Sequence, residues 1–130
     1  MFKIDVQNRP YDLHRPNGCT TLVIEVEQWP GNEFGLWLPE TVFCERGIPW
    51  CNWKGQVTQE WERIGDTWTW SRSLNGFTIT SALDADAANR CLWYRHSFEN
   101  HSEKELLGLS TATCFHLVNA PEFISIRGER

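Results

Sequence analysis

Two short turns constrain what this chain can fold into more than any other feature of its sequence. Gly65-Asp66 and Asn75-Gly76 each lie between runs of alternating apolar and polar residues. Dipeptides of this kind favour two-residue β-hairpin turns, and Asn-Gly is the strongest short signal for one. The segment 61–83 is therefore predicted to be a three-stranded antiparallel meander.

The register of this meander follows from counting outward from each turn. The count pairs Arg63 with Trp68 and Arg72 with Ile79. Because side chains alternate across a strand, the pairs separate onto two faces. One face collects Trp61, Arg63, Trp68, Trp70, Arg72, Leu74, Phe77, Ile79 and Leu83, and the other collects Glu60, Glu62, Thr67, Thr69, Ser71, Ser73, Thr78 and Thr80. The sheet is predicted to have one covered face and one wet face.

The rest of the chain also favours strands. The predicted segments are an edge strand with Phe2, Ile4 and Val6 on one side, and strands within 20–27, 90–99, 106–118 and 123–127. The segment 90–99 carries large residues on both sides, which is typical of a central strand. Seven or eight short strands with turns between them predict an all-β antiparallel sandwich, organised as one domain over 1–130.

The segment 28–55 does not show this alternation. Glycine and proline interrupt it among Trp29, Trp37, Trp50 and Trp53. It is predicted to be a long aromatic-rich loop with one short strand near 35–38, and its tryptophans are candidates for docking another domain or subunit.

Composition excludes several function classes. Twelve Lys and Arg against 17 Asp and Glu give a net charge of −5, and no basic cluster occurs, which argues against nucleic-acid binding. No apolar run reaches the length of about 20 residues that a membrane helix needs, and the first residues lack a signal sequence. Five cysteines without a close metal-type spacing indicate reduced thiols, so the expected location is cytoplasmic.

The eight tryptophans have two interpretations. In the first, the Trp/Arg face of the meander is a sandwich core. In the second, Trp61 or Trp70 stacks on a sugar ring while Arg72 donates hydrogen bonds to it.

The histidines give candidate contacts but no metal site. His96 and His101 have opposite parity in a strand, so converging metal ligands are not expected, and no cofactor motif is present. His96 and His116 are instead candidates for satisfied core or cleft residues, or for ligand contacts. A nucleophile pair such as Cys114 with His96 is an alternative that local sequence does not favour.

The segment 75–121 runs through an Asn-Gly hairpin, a strand, a strand ending in Phe98-Glu99-Asn100, a charged turn and an apolar strand bearing Phe115 and His116. This order resembles the galactose-mutarotase-like (aldose 1-epimerase-like) family of β-supersandwiches. The resemblance implies large antiparallel sheets, a carbohydrate site and, in active members, a histidine acid with a carboxylate base.

The residues match the family's catalytic pattern poorly. If Phe115 takes the aromatic place in the family's His-x-aromatic-aromatic motif, the catalytic histidine position falls on Thr113, and His116 stands where an aromatic is expected. The family's base comes late in a considerably longer domain. The resemblance therefore implies sugar binding more than mutarotase chemistry.

The resulting expectation is a carbohydrate-binding sandwich with Trp61, Trp70, Arg72, His96 and His116 as contacts and a saccharide as ligand. The alternatives are a non-catalytic protein-interaction module and a sugar epimerase that uses histidine acid–base chemistry. Because the sequence stops soon after a predicted strand, a piece of a larger supersandwich that lacks its C-terminal segment is also an expectation. A homo-oligomer is the alternative expectation for a partner.

Overall fold

The computed structural model describes residues 1–9, 19–51, 59–74 and 76–123. Within these ranges the chain forms nine strands and one short 3-10 helix, Pro121–Phe123. The strands are β1 (Phe2–Arg9), β2 (Cys19–Val26), β3 (Glu33–Cys44), β4 (Gly47–Cys51), β5 (Glu62–Ile64), β6 (Thr67–Leu74), β7 (Phe77–Asp86), β8 (Cys91–Asn100) and β9 (Ser110–Asn119). The predicted all-β class is confirmed. The described residues contain no helix that is long and apolar enough to cross a membrane.

The strands form two antiparallel sheets that pack face to face. Sheet A has the order β1-β2-β3, with β9 on the other edge of β3 and β4 beside the C-terminal half of β3. Sheet B has the order β5-β6-β7-β8. The predicted antiparallel sandwich is thus confirmed, and in the described part of the chain β8 and β9 each have one edge without a partner strand.

The meander has the predicted register. Arg63 pairs with Trp68, and Arg72 pairs with Ile79. Its Trp/Arg face turns toward sheet A, and Ile79 is fully buried there. The opposite face carries the serines and threonines. A slip of one residue would have exchanged the two faces, so turn chemistry and hydrophobic pattern agree on one register.

The core is centred on three tryptophan rings between the sheets. Trp50 of β4 lies 5.0 Å from Trp70 of β6, and Trp61 lies 6.3 Å from Trp70, measured between ring centroids. The side chain of Gln59 is buried beside them, accepting a hydrogen bond from Trp61 Nε1 at 3.2 Å and donating one to the Leu38 carbonyl at 3.2 Å. A buried amide is tolerated here because both ends of it are paired.

The prediction of a long loop over 28–55 is wrong. Most of this segment is β3, which has 12 residues, and β4, which has five. The alternation was unreadable because β3 is buried on both faces and its register with β9 shifts between Trp37 and Thr41, around Pro39. Proline is confined to bulges and edges within sheets, so a strand that contains it resembles a loop in the sequence.

The prediction that β8 is a central strand is also wrong. The strand lies at the end of sheet B, and Trp93 and Tyr94 on its two sides are 62% and 52% exposed. Large residues on both sides of β8 reflect two partly open surfaces rather than two packed ones.

Three sequence expectations fall outside the described residues. They concern Asn75 in the second hairpin turn, Trp53, and the part of the last predicted strand that spans 124–127.

The central position of Trp70 predicts a large stability effect. We expect Trp70→Ala to lower the free energy of unfolding by about 3–5 kcal/mol, because it empties the contact between the two sheets. Trp93→Ala removes the same side chain from an exposed position and serves as the control, with an expected loss below about 1 kcal/mol. Urea denaturation followed by circular dichroism measures both. Equal losses would contradict the assignment of Trp70 to the core.

Candidate functional site

The structure places Trp61 and Trp70 inside the sandwich. Trp70 is 3% exposed and Trp61 is 9% exposed. Each ring packs on other tryptophans, and Trp61 also uses its indole N–H within the protein. Neither ring presents a face on which a sugar in solution could stack. Their position agrees with the core interpretation of the Trp/Arg face.

Arg72 lies on the inner face of sheet B, opposite Ile79. Its Nε atom is buried and has no hydrogen-bond partner. An unpaired polar atom of this kind destabilises the folded state by about 1–3 kcal/mol. The residue is half-buried at the margin of the core, two residues along β6 from Trp70 and on the same face.

His96 joins the two sheets through hydrogen bonds. Its Nδ1 lies 2.9 Å from the Ser81 hydroxyl in the same sheet, and its Nε2 lies 3.3 Å from the Thr113 hydroxyl in β9. A neutral imidazole has one donor and one acceptor, and a hydroxyl can complement either. Burial lowers the pKa of His96, so the neutral form is favoured.

His116 lies on the opposite side of β9, on the outer face of sheet A. Its ring centroid is 4.8 Å from that of Trp37, and it covers Gly35 so closely that a Cβ there would lie 2.4 Å from Nε2. Trp37 is held in turn by a hydrogen bond from its Nε1 to the Thr21 hydroxyl at 2.9 Å. Burial lowers the pKa of His116 as well.

Cys114 lies near His116 rather than near His96. Its Sγ is 3.8 Å from Nδ1 of His116, whereas His96 contacts the other face of β9 through Thr113. Burial, and then the charge of Glu40, raise the pKa of the Cys114 thiol. A nucleophilic cysteine needs the opposite shift, so this pair does not have the electrostatics of an activated thiolate.

The five residues singled out from the sequence thus do not converge. Trp61 and Trp70 are core residues, Arg72 is at the core margin, and the two histidines lie on opposite sides of β9. Among the described residues no group of three or more His, Cys, Asp or Glu side chains could hold a metal ion.

A different surface brings sugar-type contacts together. We call the outer side of sheet B the hydroxyl face; it comprises Glu62, Thr67, Thr69, Ser71, Ser73, Thr78, Thr80, Ala82, Asp84, Asp86, Trp93, Arg95, Ser97 and Glu99. Its side chains are ordered by mutual hydrogen bonds, such as Ser71 to Thr80 and Ser73 to Thr78, each 2.9 Å between hydroxyl oxygens. Cross-strand hydroxyl pairs of this kind stabilise a sheet and keep its surface flat and polar.

Trp93 stands out on the hydroxyl face. The indole is 62% exposed and lies across from Asp84, which accepts a hydrogen bond from Thr67 and has its Oδ2 3.9 Å from Nη2 of Arg95. Asp86 lies at the end of β7, next to the turn that leads into β8. Its pKa is lowered mainly by hydrogen bonds from Asn89, and to a smaller extent by a hydrogen bond from Trp93. An aromatic face, two carboxylates and a guanidinium therefore lie within a few ångströms of one another.

The comparisons with known proteins do not add a relative. No family model, no curated protein and no solved structure matches this chain. The candidate site consequently rests on the geometry of the described residues.

Sequence reasoning missed Trp93, Asp84 and Arg95. The prediction that β8 is a central strand implied that Trp93 is covered. The alternation of the sequence nevertheless places Trp93 on the same side of the strand as Arg95. The available signal was the pairing count itself, since Trp93 and Arg95 continue the Ser/Thr face of the meander onto β8.

The close packing of His116 over Gly35 predicts a rescue. We expect Gly35→Ala to destabilise the fold by about 1–3 kcal/mol, because the added methyl group meets the imidazole and Val118. His116→Ala in the same chain should recover part of this loss. Chemical denaturation of the two single variants and the double variant measures the coupling, and strict additivity would contradict the contact.

The buried histidines predict a dependence of stability on pH. Their pKa values are lowered from 6.5 in the folded state, so on acidification the unfolded chain binds protons first. The free energy of unfolding should therefore fall as the pH drops below about 6.5, and stop falling only below the folded pKa values. We expect His96→Gln to flatten this dependence, measured by urea denaturation at pH 8 and pH 5.5. An unchanged slope would contradict the role of His96 burial.

Proposed function

We propose that the chain is a non-catalytic carbohydrate-binding β-sandwich and that its saccharide lies on the hydroxyl face, with Trp93 as the stacking platform. The observation that carries the proposal is the exposure of Trp93 in a polar, hydrogen-bonded sheet face. Because Trp93 is 62% exposed, its ring is available for contact with a ligand.

The chemistry of the hydroxyl face suits a sugar. A pyranose ring offers an apolar C–H face and a rim of hydroxyls, so it binds best where an aromatic ring lies beside donors and acceptors in the same plane. Asp84 and Asp86 supply acceptors, and the guanidinium of Arg95 supplies donors. The two carboxylates beside Trp93 and the net charge of −5 favour neutral saccharides over acidic ones.

The resemblance of the segment 75–121 to galactose-mutarotase-like proteins supports sugar binding and stays a proposal. The arrangement of histidines does not support epimerisation, because His96 and His116 contact opposite faces of β9 and cannot act on one substrate. Of the four tryptophans expected to dock another domain, Trp37 and Trp50 are 3% and 2% exposed and are therefore core residues. Trp29 is 44% exposed, and Trp53 lies outside the described residues.

The test is a titration with a panel of neutral and acidic oligosaccharides by isothermal calorimetry. We expect saturable binding of a neutral saccharide and a loss of about thirtyfold in affinity for Trp93→Ala, since truncating a central aromatic contact typically costs about 2 kcal/mol. Trp93→Phe should keep part of the affinity because it keeps an aromatic face.

Trp29→Ala is the matched control. It removes another exposed tryptophan from a different surface, so it should leave saccharide affinity unchanged. Thermal melts confirm that each variant is folded. Absence of binding across the panel, or an equal loss in both Trp→Ala variants, would refute the assignment of the hydroxyl face.

A further inference from the structure

A concave surface lies between the sheets, on the other side of β8. Sheet A continues beyond the tryptophan core as an apolar floor that includes Ile24, Phe34 and Leu36, while sheet B covers it only with the first half of β8. The result is a cleft of about 690 Å³. Ligand sites for small organic molecules have volumes of about 300–1,000 Å³.

The cleft wall is aromatic and open. Phe115 stacks on Phe34 with ring centroids 5.7 Å apart and planes 11° from parallel, and Phe123 packs edge-on against both Trp29 and Phe34 at 5.1 and 5.3 Å. Phe115 is nevertheless 62% exposed. Large apolar side chains held in order but left open to solvent mark a binding surface rather than a finished core.

The described residues that line the cleft include a positively charged side chain and no negatively charged one. Arg90 lies at the mouth and is the cation of the lining, which includes no Asp or Glu among the described residues. Within the described part of the chain Arg90 makes no ion pair; it is exposed and lies in the turn before β8, where its backbone φ is 55°. A guanidinium with free donors binds a carboxylate or sulfonate in a two-point contact.

We propose that this cleft binds a small amphipathic anion: an apolar body, aromatic or long-chain, that lies against Phe115 and Phe34, and an anionic head that pairs with Arg90. A saccharide does not fit this lining, because most of the lining residues are apolar and the Thr113 hydroxyl is already hydrogen-bonded to His96. The cleft site is separate from the hydroxyl face. The proposal for the cleft can therefore be tested independently of the proposed carbohydrate function.

The test uses two fluorescent probes of nearly the same shape. 1-Anilinonaphthalene-8-sulfonate carries the apolar body and an anion, and N-phenyl-1-naphthylamine carries the body alone. We expect saturable binding of one molecule of either probe per chain, with the sulfonate bound more tightly. Arg90→Ala should weaken the sulfonate about tenfold and leave the neutral probe unchanged.

Phe115→Ser should weaken both probes, and because Phe115 is exposed, the variant is expected to fold. Ile64→Ala, which alters an exposed apolar residue in the distant β5–β6 hairpin, is the control and should change neither affinity. Sedimentation with and without probe tests the competing occupant, a second copy of the chain.

Three results would overturn the proposal. The first is no saturable binding of either probe. The second is an Arg90→Ala effect that is equal for the charged and the neutral probe. The third is a dimer that Phe115→Ser dissociates, since the cleft would then be an interface between copies.

Discussion

The contact between Trp50 and Trp70 is the interaction on which the rest of the structure depends. It joins β4 of sheet A to β6 of sheet B, and both rings are almost fully buried. A tryptophan buries about 150–250 Å² of surface, so a few such rings can hold two sheets together in a chain of 130 residues. With Trp61 and the paired amide of Gln59 beside them, they fix the distance between the sheets at one end of the sandwich.

Away from this point the sheets are held by smaller interactions. His96 reaches from β8 to Thr113 of β9 with its burial keeping it neutral, which makes it a polar link at the margin of the apolar interior. Beyond that link, aromatic residues of β9 and the 3-10 helix cover sheet A only in part. The tight end provides stability, and the open end provides the cleft. Both follow from how unevenly the large side chains are distributed between the two ends.

The sequence predicted the meander well and the surroundings less well. Two glycine-containing turns define the register of β5, β6 and β7, because local turn chemistry and period-2 alternation depend on neighbouring residues only. β3 was missed because burial on both faces and the bulge near Pro39 erase alternation. The candidate site was missed for a related reason: whether Trp93 is covered depends on whether another strand lies beside β8, and no local pattern reports that.

β8 shows how an edge strand can serve two surfaces at once. Its alternation sends Trp93 and Arg95 to the hydroxyl face and Leu92 and Tyr94 toward the cleft. The interior strands of sheet B, β6 and β7, turn one side outward in the same way but pack their other side against sheet A. Because adjacent residues point to opposite faces, a substitution at 93 changes one surface and a substitution at 94 changes the other. The two proposed binding surfaces therefore share one strand and remain chemically distinct, polar with carboxylates on one side and apolar with a guanidinium on the other.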